Sequence, residues 1–152
     1  MKSAARGSGL VLLLWLCACG GSSPTQPPAP TLLSVGGAYT VAVALGDNTC
    51  GAVTVQTQAT TVTHTPGAGR FSLTHGPNTF QGSVAADGAF TTDPLPLQDG
   101  ATALSVGLQG RFTTTGLTAT VTVDENRPAP TADCRYLVQW TGTKQGAPNV
   151  IP

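Results

Sequence analysis

From Tyr39 to Trp140 apolar residues recur at every second position in short runs, and glycine-containing turns separate the runs. A period of two puts successive side chains on opposite faces of an extended backbone, so one face is apolar and the other polar. Helix has little support. No stretch keeps apolar residues at three-and-four spacing for long, Glu125 is the only glutamate, and threonine, valine, glycine and alanine dominate. β-Branched side chains favour the pleated backbone over the helix. The part of the chain that shows this pattern, about 120 residues, is enough for one domain with a modest core. The pattern predicts an all-β single domain of about eight mostly antiparallel strands, a meander barrel or a sandwich, with first and last strands paired.

The strands can be read from the parity of their apolar residues. Tyr39, Val41, Val43 and Leu45 carry the first. Val53 and Val55 open a Thr-rich strand to about Thr65, and Val62 on the other parity calls for a bulge near Thr60. After the turn Pro66–Gly69 come Phe71 and Leu73, then Phe80, Gly82 and Val84. A three-residue hairpin loop, Ala86-Asp87-Gly88, with Gly88 left-handed, sets Val84 opposite Phe90. The stretch "DPLPLQDG" from Asp93 reads as a loop. Leu104, Val106, Leu108 and Phe112 follow, then the turn Thr113–Gly116 and Leu117, Ala119, Val121 and Val123. "DENRPAPTAD" from Asp124 reads as a second loop, and Tyr136, Val138 and Trp140 as the last strand. Gly82 and Gly110 fall on apolar faces. A kink in a curved sheet, or room for Trp140 over bare backbone, is the favoured reason, and space for a ligand the alternative.

The first thirty residues speak about address. Lys2 and Arg6 precede the apolar run Gly9–Leu16, which is too short to span ~30 Å of hydrocarbon and has the length of a secretory signal. Leu16-Cys17-Ala18-Cys19 resembles the lipobox of bacterial lipoproteins: a large aliphatic residue three before the acceptor, a small one just before it, and Cys17 where Ala, Ser, Thr or Val is commoner. The resemblance implies that residues 1–18 are a signal peptide, that Cys19 receives diacylglycerol on its sulfur and an acyl group on its new amine, and that the protein is anchored in a bacterial cell envelope. Gly20, rather than aspartate, follows the acceptor, which in a Gram-negative envelope implies the outer membrane. Each buried methylene adds ~0.8 kcal/mol, so several chains hold firmly. Residues 19–32 are then a tether, kept extended by Pro24, Pro27, Pro28 and Pro30, with a reach of roughly 30 Å. The β domain takes 33–146, and 147–152 form a C-terminal tail.

An exported chain can hold a disulfide. With Cys19 lipidated, Cys50 after the first strand and Cys134 at the start of the last are the pair. If these strands run antiparallel with Val43 facing Trp140, Thr49 faces Cys134, one position from Cys50. A zinc site would need more ligands near these thiols, and an immunoglobulin domain would place its tryptophan between the cysteines. Trp140 follows both. The order Cys134-Arg135-Tyr136-Leu137-Val138-Gln139-Trp140 near the end, with a cysteine near the first strand, resembles the layout of a set of bacterial lipoproteins and implies no particular activity.

Catalytic machinery is missing from the exported part. No serine lies in Gly-x-Ser-x-Gly or Ser-x-x-Lys, Lys144 is its only lysine, and no glycine-rich phosphate loop precedes a helix. His64 would face Phe71 and His75 would face Thr60, too far apart to share a metal; a surface or loop role is the default for each. Asp124-Glu125-Asn126 reads as solvated, on opposite faces if in a strand, and Asp47-Asn48 as turn chemistry. No catalytic residue, metal or cofactor is expected. Without Lys2 and Arg6, five basic and seven acidic side chains remain, near −2, which argues against nucleic acid as a partner. The reading is a non-enzymatic envelope lipoprotein, a binding or structural β module that meets the membrane through its anchor and another protein or a cell-wall component through its surface. Thr118, Thr120 and Thr122 would be ordinary solvated surface. The alternative is a carrier of a small hydrophobic ligand. Gly37-Ala38-Tyr39 resembles the Gly-x-Trp of lipocalins over three residues, with tyrosine in place of tryptophan. Interior volume separates the two, because ligand-holding barrels keep ~300 Å³ or more.

Overall fold

A computed structural model describes residues 31–152. Nine antiparallel strands are present among them: β1 (Gly37–Asn48), β2 (Thr60–His64), β3 (Arg70–His75), β4 (Asn78–Val84), β5 (Ala89–Thr92), β6 (Leu95–Asp99), β7 (Thr102–Thr113), β8 (Gly116–Asn126) and β9 (Cys134–Lys144). Their order is β5-β4-β3-β2-β1-β9-β8-β7-β6, and a β5–β7 pairing closes the ring. The result is a barrel, not a sandwich. First strand pairs with last, Val43 opposite Trp140. Val84 faces Phe90, and Gly88 is left-handed at φ 83°.

β5 and β6 together form one stave broken in two. Both lie along the same edge of β7, β5 against Gln109–Arg111 and β6 against Thr102–Val106. Between them Thr92 Oγ1 accepts from the Leu108 amide at 2.9 Å. The stretch "DPLPLQDG" therefore contains a strand where a loop was expected. Its prolines hide the pattern, but Pro96 is tolerated because the outer edge of β6 has no ladder partner among the described residues. Leu95 and Leu97 pack against the core. Conversely, residues 53–59 form no strand. Thr60 and Val62 share one parity and are buried in β2, so the parity change marks the start of a strand and no bulge near Thr60 is needed.

The two ends of the barrel differ. At one end Tyr39, Phe71, Phe90 and Phe112 form an aromatic cluster, with ring centroids 4.6 Å apart for Phe90–Phe112, 5.5 Å for Phe71–Phe90 and 5.6 Å for Phe71–Phe112. The edge-to-face contacts of Phe71 with Phe90 and with Phe112 add to the burial of the rings. Two terminal segments plug this end. Ser34 and Val150 exchange backbone hydrogen bonds at 2.9 Å, Leu33 and Val35 are buried, and Ile151 packs on the core. Asn149, 3% exposed, ties the plug to the barrel. Thus 147–152, set apart as a tail in sequence, closes the base.

The glycines on inner faces are occupied by protein. The Phe71 ring lies over Gly82, 2.7 Å from where a Cβ would stand, so phenylalanine takes the place expected for Trp140. At Gly110 a Cβ would overlap the Thr118 carbonyl of the neighbouring strand, whereas Gly107 on the same strand has open space. Backbone cannot step aside as a flexible side chain can. Gly110→Ala should destabilise the domain by about 3 kcal/mol, and Gly107→Ala should stay within ~0.5 kcal/mol. Urea unfolding midpoints check the contrast; equal effects would mean that the β7–β8 approach is looser than described.

Candidate binding site at the barrel mouth

The end opposite the plug carries the disulfide and an opening. An unbroken ladder from Val43–Trp140 would set Thr49 against Cys134. The β1–β9 register shifts by one between Leu45 and Asn48, where Asn48 comes to face Tyr136. This bulge advances β1 by one residue and aligns Cys50 with Cys134. The sulfurs are 2.07 Å apart and the Cα atoms 5.0 Å, a disulfide-bonded pair. Asn48 shapes the turn before it, accepting from the Cys50 amide at 2.7 Å and donating to the Gly51 carbonyl at 2.6 Å.

Charged residues brace this rim. Glu125 accepts from Arg127 at 2.7 Å, and Arg127 also donates to the Cys50 carbonyl at 3.3 Å. Asp124, on the opposite face of β8, pairs with Arg135. The acids expected to be merely solvated are therefore tied into ion pairs, and the Arg127–Glu125 pair is half-buried against the disulfide. Cys50, Glu125 and Cys134 bring possible ligand atoms within 4.8 Å of one another, but the bonded sulfurs offer no thiolates.

Inside the mouth is a cavity of about 210 Å³. Its depth follows from the register. β1 contributes Val43 but not Val41, β8 Val121 and Val123 but not Ala119, and β9 Val138 and Trp140. The level at which Val43, Trp140 and Ala119 face one another is therefore its floor. Valines and Phe80 make the walls, while Gln56, His75, Asn78 and Tyr136 bring polar groups to it. Val55 and Gln56 belong to the 53–59 segment, which forms no strand but contributes both to the lining. The interior is thus packed below Trp140 and hollow above it.

His75 does not have the surface role expected of it. It faces Thr60, as parity requires, and its ring lies 4.3 Å from that of Trp140. Nδ1 is 2.7 Å from Thr60 Oγ1. Burial lowers its pKa from the usual histidine range, which favours the neutral ring. Tyr136 is raised, first by burial and then by the Glu125 charge. Among the described residues, no Asp, Glu, Lys or Arg lines the cavity. His64, opposite Phe71, sits at the plugged end, where Nε2 donates to the Ala68 carbonyl at 2.8 Å and Nδ1 accepts from the Val35 amide at 3.4 Å. That histidine holds the plug. Cys19 lies outside the described residues. On the outer face a wider, open depression of about 600 Å³ runs between Gln109, Arg111, Thr118, Thr120, Gln139 and Thr141.

The mouth was missed in sequence although one signal was present. His75 shares the parity of Phe71 and Leu73, so it had to point inward wherever β3 had an inside. No family model, curated protein or solved structure matches the chain.

Proposed function

We propose that the chain is a bacterial envelope lipoprotein whose β-barrel is a non-enzymatic binding module, held to a membrane by acyl chains on Cys19. The observation that carries this reading is the polarity of the barrel. Leu33 and Val35 bring the chain in at the plugged end, and the cavity opens at the other. A tether on Cys19 would therefore turn the mouth away from the bilayer. The lipobox residues Leu16 and Ala18 support the anchor, and the Cys50–Cys134 bond suits an oxidising compartment outside the cytosol. At about 210 Å³ the cavity falls short of the ~300 Å³ of a carrier barrel. The open end therefore suits a ligand smaller than those such barrels hold, favoured over a protein or cell-wall partner on the outer faces, where Thr118 is solvated.

The test is intact-mass analysis and fractionation of native protein beside Cys19→Ala. The expected wild-type species begins at Cys19, carries three acyl chains and sediments with membranes, while the variant is released or retains its leader. An unacylated wild-type chain beginning elsewhere would overturn the anchor.

A further inference from the structure

We propose that the mouth cavity binds one small, neutral aromatic molecule carrying a hydroxyl or N–H donor, of the phenol class, with the Trp140–His75 pair as its aromatic surface and His75 Nε2 as the acceptor of its proton. This rests on the reading of the barrel as a binding module and not on the lipid anchor.

Size comes first. An apolar protein cavity of roughly 150 Å³ holds benzene. About 210 Å³ therefore has room for one ring with a short substituent. It is smaller than the ~300 Å³ at which pockets for drug-sized ligands begin, so long acyl chains and large ring systems do not fit.

Charge comes second. The lining is uncharged, and burying an ionised ligand there without a partner would be strongly unfavourable. A neutral ligand is required.

The hydrogen-bonding pattern comes third. Thr60 Oγ1 donates to the Gln58 carbonyl at 3.3 Å, which uses its single proton. Both Thr60 contacts are hydrogen bonds only in the tautomer in which Nδ1–H donates to Oγ1 at 2.7 Å, and that tautomer is the one we assign. Nε2 is left with a lone pair, and histidine neutrality, favoured by burial, preserves it. A hydroxyl-bearing ring beside Trp140 satisfies that acceptor while its carbon face meets the valine walls. A plain hydrocarbon of the same shape leaves Nε2 unpaired.

Calorimetric titration of the purified full chain with 4-ethylphenol tests this, with ethylbenzene and palmitate as comparisons. The expected result is one site for 4-ethylphenol, with ethylbenzene about tenfold weaker, the discrimination one net hydrogen bond supplies, and no palmitate binding. His75→Phe keeps an aromatic ring beside Trp140 and removes the acceptor, so it should weaken 4-ethylphenol about tenfold and leave ethylbenzene unchanged. Val121→Phe fills the cavity and should abolish both, with circular dichroism confirming the barrel. Absence of 4-ethylphenol binding at millimolar concentration, equal binding of 4-ethylphenol and ethylbenzene, binding that survives Val121→Phe in a folded barrel, or tight palmitate binding would each overturn the assignment. None of these results bears on Cys19 acylation. If His75→Phe does not fold, the ratio of 4-ethylphenol to ethylbenzene affinity in the unsubstituted chain still decides the role of the acceptor.

Discussion

Cys134→Ala lowers the stability of the domain by about 3–4.6 kcal/mol, and the melting temperature by roughly 10–20 °C. The bond joins residues 84 apart and so constrains most of the described chain when it is unfolded. The loop model puts closure of about 85 residues at roughly 4.6 kcal/mol, an upper figure for a domain stable by ~5–15 kcal/mol. Location adds to length. The bond clamps β1 to β9 at the mouth, beyond the bulge, where the ladder is least regular. The Arg127–Glu125 pair packs on the same spot and loses a rigid neighbour when the sulfur goes. The double variant Cys50→Ala/Cys134→Ala should match the single one, because both simply remove the same bond. Thermal unfolding with and without reductant checks this. A loss under 1 kcal/mol would mean that β1–β9 pairing alone closes the barrel, with the covalent link contributing little.

Asn149→Leu should destabilise by about 3–4 kcal/mol, since several buried polar groups lose partners at once. The Asn149 amide donates to the Thr113 carbonyl at 2.7 Å and to the Gly116 carbonyl at 3.2 Å. Its own oxygen lies 2.8 Å from the Tyr39 hydroxyl and accepts from Lys144 Nζ at 3.1 Å. Leucine has a similar shape and none of these bonds. It leaves two carbonyls without their donor and an ammonium without one of its acceptors. Tyr39→Phe is the calibrating variant. The Tyr39 hydroxyl donates to the Val35 carbonyl at 2.6 Å, and burial pushes its pKa up to about 12 despite the opposing Asn149 contact. Losing that one group should cost about 1 kcal/mol. Equilibrium urea unfolding of both variants measures the difference. Equal losses would show that Asn149 acts only through Tyr39 and that the plug is held by apolar contact.

Pairing was legible wherever it depended on parity alone. Val84 with Phe90, His64 with Phe71 and His75 with Thr60 follow from a side-chain period of two and the length of a turn, and Val43 with Trp140 is the register supposed from the placement of Cys50 and Cys134. Features that break the period were not legible. Prolines concealed β6, valines at 53 and 55 imitated a strand, and the bulge that aligns Cys50 with Cys134 moved the register by a single residue. Arg127, two residues on, shares the face of Glu125 and pairs with it; what parity does not show is the disulfide beside that pair, which removes it from full solvent.

By itself, the order of residues determined an all-β chain, since alternation and turn chemistry act over a few neighbours, and the placement of two cysteines pointed to its first strand lying on its last. Tertiary structure alone decided which end of the barrel is plugged and which is hollow. A cavity is what remains after eight staves and two terminal segments have taken their space, and the place of His75 beside Trp140 at its floor depends on strands far apart in sequence. No local pattern carries that sum.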